Sequence, residues 1–174
     1  MTDPSTGRTV VALAGNPNTG KSSIFNMLTG ARQHVGNWPG KTVERVDGQF
    51  TFDGDEFDLV DLPGTYSLNA SSPEEIIARD FLVGGEPDGT IVVVDAANLE
   101  RNLYLAIQVL EIGIPAVIAV NMSDVARSRG LEIDTKVLAE RLEVPTVQTV
   151  ARTGKGLDEL RRAIAASCAR EGSR

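Results

Sequence analysis

Cysteine is almost absent from this sequence: among 174 residues, Cys168 is the single thiol. One thiol closes no intramolecular disulfide, which excludes the stapled framework of a small secreted domain. Long apolar stretches are missing as well. The longest runs, residues 91–94 and 114–120, are strand-sized and fall far short of the roughly 20 residues a membrane helix needs. Residues 1–7 carry neither the basic patch nor the apolar run of a secretion signal. Positive charge is also scarce, with 17 Lys+Arg against 24 Asp+Glu and a net charge of −7. A nucleic-acid-coating surface needs a local excess of Lys and Arg, so no nucleic-acid partner is expected. One small phosphate ligand stays compatible with this balance, because a few backbone N–H groups can hold it. The expectation is a soluble, cytosolic chain.

What is present is globular in kind: 41% hydrophobic and 24% charged residues, in a length suited to one domain. There is no internal repeat. Residues 9–14 read as a buried strand, followed by a Gly-rich loop and a helix over 21–28 stopped by Gly30. Residues 31–41 show neither period and read as a loop. Alternation over 42–52 and 56–61 around Asp53-Gly54-Asp55 signals a hairpin. Ser72-Pro73-Glu74-Glu75 is a capping box opening a helix to Val83. Strand-like runs recur at 90–95, 116–121 and 146–150, separated by helical patterns at 99–112, 135–142 and 157–169. The predicted fold is α/β: a mostly parallel sheet of six strands, helices on both faces and one antiparallel edge strand. Residues 9–169 form the domain, between a disordered tail at 1–8 and a tail at 170–174, where a longer chain is expected to have been cut.

Gly15-Asn16-Pro17-Asn18-Thr19-Gly20-Lys21-Ser22 fits the phosphate-loop pattern G-x-x-x-x-G-K-[ST]. Its glycines let backbone N–H groups converge on phosphates at the positive end of the following helix. Lys21 reaches toward β- and γ-phosphates, and the Ser22 hydroxyl toward Mg²⁺. A chance Gly-rich turn is the alternative, but this loop has a strand before it and a helix after it.

Asp61-Leu62-Pro63-Gly64 follows a second strand. Its carboxylate suits Mg²⁺ and its Gly64 N–H suits a γ-phosphate; alone, this pattern is only a turn. Asn121-Met122-Ser123-Asp124 closes a later strand. The Asp124 carboxylate can accept both N1–H and the 2-amino group of guanine, whereas adenine offers no such donor pair. Asp124 is otherwise a helix N-cap. Thr42 ends the irregular loop, where it can sense a γ-phosphate through Mg²⁺ or merely start a strand. The order of the four motifs favours the functional reading of each.

With these motifs the chain resembles a Ras-like P-loop GTPase, and more narrowly the N-terminal cytosolic G domain of the FeoB family of prokaryotic ferrous-iron transporters. Beyond the phosphate motifs, the resemblance rests on Val35-Gly36-Asn37-Trp38-Pro39-Gly40, Asn98-Leu99-Glu100-Arg101-Asn102-Leu103-Tyr104-Leu105 and Met122. It spans roughly residues 10–164. It implies GTP hydrolysis to GDP and phosphate at a slow intrinsic rate, because Thr65 stands where Ras-like proteins carry a water-orienting Gln. Asn18, Lys21, Thr42 and Gly64 are the implied catalytic group. Ser22, Thr42 and Asp61 are implied to hold Mg²⁺, and Asn18 to hold an activating K⁺. Gly15, Asn16, Pro17, Thr19, Gly20, Ser23, Asn121, Met122, Asp124, Val150 and Ala151 complete the nucleotide contacts. Val150 departs from the usual Ser or Thr and bears on how tightly nucleotide is retained. The implied partners are a helical regulatory segment and a transmembrane permease of the same full-length protein, at the cytoplasmic face of the membrane. A nucleotide-sensing module with negligible hydrolysis, or a ribosome- or tRNA-associated GTPase, are the competing readings.

Other residues draw blander readings. His34 reads as an exposed loop residue and Cys168 as inert. Trp38 is open between a partner-contacting side chain and packing against the domain. The acidic cluster Asp53, Asp55, Glu56 and Asp58 reads as a solvated hairpin tip, since carboxylates without His or Cys make a poor Fe²⁺ site.

Overall fold

The structure, a computed structural model, describes residues 7–171; residues 1–6 and 172–174 of the two expected tails lie outside the described residues. β1 (Thr9–Gly15), α1 (Lys21–Thr29), β2 (Gln33–Asn37), β3 (Glu44–Phe52), β4 (Asp55–Asp61) and α2 (Pro73–Val83) come first. They are followed by β5 (Gly89–Asp95), α3 (Leu99–Ile112), β6 (Ala116–Asn121), α4 (Ser123–Ser128), α5 (Thr135–Leu142), β7 (Thr146–Gln148) and α6 (Leu157–Glu171). The strands form one sheet in the order β2-β3-β4-β1-β5-β6-β7. β1 runs parallel to β4 and β5, while β3 is antiparallel to both of its neighbours.

The sheet has seven strands where six were expected. The additional one, β2, lies in the stretch read as a loop and pairs outside β3, with His34 opposite Asp47. All five of its residues are exposed, so its sequence has no buried face to generate alternation. α4 is the other unexpected element. It has six residues, too few for a helical period to show.

Strand alternation divides the core. Ala12 and Ala14 of β1 join α2 and α3 through Ile77, Phe81, Leu105 and Val109. Val11 and Leu13 face the other way, onto Ile24, Phe25 and Leu28 of α1 and Leu160 and Ile164 of α6. The β3–β4 turn is Asp53-Gly54, both at positive φ (51° and 83°), as a two-residue hairpin requires. Arg8, inside the expected N-terminal tail, donates to Glu56 at 2.9 Å. The parallel strands β1, β5 and β6 end on one edge, and the loops leaving that edge carry the phosphate and base motifs.

Candidate functional site

The phosphate loop connects β1 to α1 across a turn that needs two left-handed residues, Asn18 (φ 65°) and Gly20 (φ 80°). A Cβ on Gly20 would collide with the Asn121 side-chain amide, so glycine is required there by packing as well as by φ. Thr19 braces the loop from within, its Oγ1 donating to Asn16 O at 3.0 Å. A cavity of about 430 Å³ opens beside it, lined by Asn16, Pro17, Asn18, Gly20, Lys21, Ser22, Ser23 and Gly64. These residues come from the loop, the first turn of α1 and the segment after β4, as their motifs require.

Lys21 is buried and donates to Leu62 O at 2.7 Å; it also pairs with Asp61. Burial pushes the Asp61 carboxyl above the usual carboxylate range, and Lys21 opposes that shift. The charged residues of the two motifs, Lys21 and Asp61, therefore meet at one point. Thr65 is buried and donates its N–H to Gly15 O at 3.2 Å. Its side chain is committed to the interior, while Tyr66 is exposed.

Thr42 is not brought to this cavity. It is exposed on the loop before β3, where Trp38 N–H donates to Val43 O at 3.0 Å. Trp38 itself packs against the domain: it is buried, edge-on to Phe81 with centroids 5.5 Å apart, and Arg45 lies 4.5 Å above its ring.

Asn121 ties the base loops to the phosphate loop. Its Nδ2 donates to Thr19 O at 3.0 Å, while its Oδ1 accepts from Thr149 Oγ1 at 3.0 Å and from Ala151 N–H at 3.1 Å. Met122, at positive φ, caps α4, which presents Asp124 in its first turn. Asp124 is thus inside the helix rather than at its N-cap. Val150 and Ala151 are buried, and the hydroxyl one residue earlier, on Thr149, is bonded to Asn121. Sequence reasoning missed Thr149, and it missed Arg152, whose Nη2 donates to Asp124 Oδ2 at 2.9 Å. The unpartnered buried Oδ1 of Asn16 also had no signal in the sequence.

Among the described residues, no group of three or more His, Cys, Asp or Glu converges as a metal cluster. No described helix is long and apolar enough to cross a membrane.

A phosphate loop between β1 and α1, an acidic strand end at Asp61 and an Asn-x-x-Asp loop after β6, on a sheet of this order, define a Ras-like GTP-binding domain. Within that class the chain belongs to the ferrous iron transport protein B family, whose profile matches residues 9–164. The chain is 51% identical over 158 residues to the Fe(2+) transporter FeoB of Salmonella typhimurium, covering 88% of this chain and 20% of that protein. The G domain of T. maritima FeoB superposes with a TM-score of 0.87 at 46% identity, covering 92% of this chain and 98% of that one. S. thermophilus NFeoB, solved as a mutant bound to mGDP, superposes at 0.88 with 48% identity, covering 92% and 61%. The chain thus spans about a fifth of the length of its curated relatives.

Proposed function

We propose that this domain is the GTP-hydrolysing switch of a ferrous iron transporter, its nucleotide state passed to a helical segment and a membrane permease at the cytoplasmic face. The observation that carries the reading is Asn121. It joins the phosphate loop at Thr19 to the base loop at Ala151, so phosphate and guanine recognition are held in one frame.

The chain's own residues supply the steps. N–H groups of the loop and the first turn of α1 bind the phosphates at the positive helix end. Lys21 moves from Asp61 onto the β- and γ-phosphates. The Ser22 hydroxyl and the Asp61 carboxylate are hard oxygen donors that fit Mg²⁺, and the penalty of burying Asp61 as an anion favours a cation beside it. Bound there, Mg²⁺ neutralises charge on the phosphate oxygens. Gly64 N–H contacts the γ-phosphate, and Thr42 must close onto the cavity to join it.

No Gln stands after Asp61-Leu62-Pro63-Gly64, and Thr65 is buried, so intrinsic hydrolysis is slow. Asn18 is exposed at the cavity. Its amide oxygen fits K⁺, which when bound would contribute the charge an arginine finger otherwise brings.

GTP and ATP binding and hydrolysis, each measured in K⁺ and in Na⁺, test this reading. Expected are binding of GTP over ATP, faster hydrolysis in K⁺, and loss of the K⁺ effect in Asn18→Ala. Equal rates in both salts refute the K⁺ role. The burial of Thr65 also favours a nucleotide-sensing module. Tight GTP binding with negligible single-turnover hydrolysis would establish that instead.

A further inference from the structure

Guanine recognition as proposed above uses both oxygens of Asp124, one for N1–H and one for the 2-amino group. In this structure Oδ2 already accepts a hydrogen bond from Arg152 Nη2 at 2.9 Å. The arginine side chain is 79% exposed and the aspartate 36%. Hydrogen bonding to Arg152 is also the chief cause holding the Asp124 carboxyl below its usual range.

The root of Arg152 is fixed while its head lies in solvent. The preceding Ala151 is buried and bonded to Asn121. Val150 N–H donates to Lys155 O at 3.0 Å, and the next residue, Thr153, donates its N–H to Val150 O at 3.1 Å. A charged donor is therefore tethered within reach of the carboxylate that selects the base.

We propose that Arg152 is a tethered competitor for Asp124. Its guanidinium and the guanine edge are mutually exclusive partners of one carboxylate, so every nucleotide must displace the arginine before its base is read. The proposal rests on Asp124 being the guanine acceptor. It makes Arg152 a residue that sets nucleotide affinity and leaves the choice of base to Asp124, because a cost paid by every base cancels from the comparison between them. The displacement cost falls on any base, and only one carrying two donors restores what Asp124 loses. An apparent Kd is raised by the inverse of the binding-competent fraction. Exposed ion pairs favour their closed form only a few-fold, and less as salt screens them.

The test is GDP titration of the wild-type domain, Arg152→Ala, Arg152→Lys and Asp124→Asn, at low ionic strength and at high NaCl, with ADP as the control. GDP avoids hydrolysis. Arg152→Ala should bind GDP about two- to fivefold more tightly at low salt, with the ratio falling toward one at about 0.5 M. Arg152→Lys should lie between, having lost the planar fork but kept the charge. Unchanged affinity in Arg152→Ala overturns the proposal, and weaker affinity overturns it in favour of an arginine that grips the nucleotide. Asp124→Asn separates the two levels. If it loses GDP while Arg152→Ala is unchanged, only the competitor falls. If it binds GDP like the wild type, or if the wild type does not prefer GDP to ADP, the guanine reading falls and the competitor with it.

Discussion

Trp38 enters the core from a loop that shows no period, and its environment is mixed. Its ring gains the edge of Phe81 and the cation of Arg45, yet its buried Nε1–H has no partner. An unpaired buried donor costs about 1–3 kcal/mol. Trp38→Phe removes that donor while giving up ring area and part of the cation–π attraction, which is strongest over Trp. The opposing effects should leave stability within about 1 kcal/mol of the wild type. Trp38→Ala should lose about 3 kcal/mol, as deletion of a large buried aromatic does. Denaturant unfolding of both variants checks this, and a Phe variant as unstable as the Ala one contradicts it. The same residue shows where sequence reading ends at this scale. Lys21, Asp61 and Asn121 were legible because each sits at fixed spacing in a motif. Trp38, Thr149 and Arg152 were not, because their roles depend on partners supplied by other elements.

At the scale of elements, periodicity located the longer strands and helices and missed one wholly exposed strand and one helix too short to show a period. β2 is exposed along its whole length, and α4 is shorter than two turns. The opening of α2 was legible, with one refinement. Ser72 Oγ accepts Glu75 N–H at 3.1 Å, but the Glu75 carboxylate reaches past Ser72 to Ser71, accepting from its N–H at 3.2 Å and its hydroxyl at 3.0 Å. It also accepts from Ser67 Oγ at 3.3 Å, so one carboxylate fastens the segment after Asp61-Leu62-Pro63-Gly64 to the helix start. These bonds, the Ser71 N–H foremost, hold the Glu75 carboxyl below its ordinary range. A group whose folded pKa is depressed stabilises the fold above its unfolded pKa, and that contribution is lost as pH falls through the folded value. Glu75→Gln should therefore lower Tm at pH 7, with the gap closing as pH falls below about 4. Thermal melts from pH 7 to pH 3 check this; a gap independent of pH would show that the charge plays no part.

Across the whole molecule, a chain of net charge −7 builds a phosphate site by local means. The phosphate loop and the base loop meet at one edge of the sheet, where Asn121 locks them together. The loop before β3 stands apart: Thr42 is exposed, and Trp38 anchors the loop against α2 through Phe81. Thr42 and Trp38 are four residues apart, and Trp38 N–H is bonded to Val43 O, next to Thr42. If Thr42 closes on a γ-phosphate and its Mg²⁺, the backbone at Val43 must move, and the indole moves with it. The sequence contains a single tryptophan, so emission excited at the red edge, where tyrosine does not absorb, reads this loop alone. A non-hydrolysable GTP analogue with Mg²⁺ should shift Trp38 emission to the red as the ring leaves Phe81 and Arg45, and GDP with Mg²⁺ should not. Thr42→Ala should bind the analogue yet lose the shift. An emission spectrum identical in the two nucleotide states would mean that the loop closes by bending between Trp38 and Thr42, with the indole left in the core.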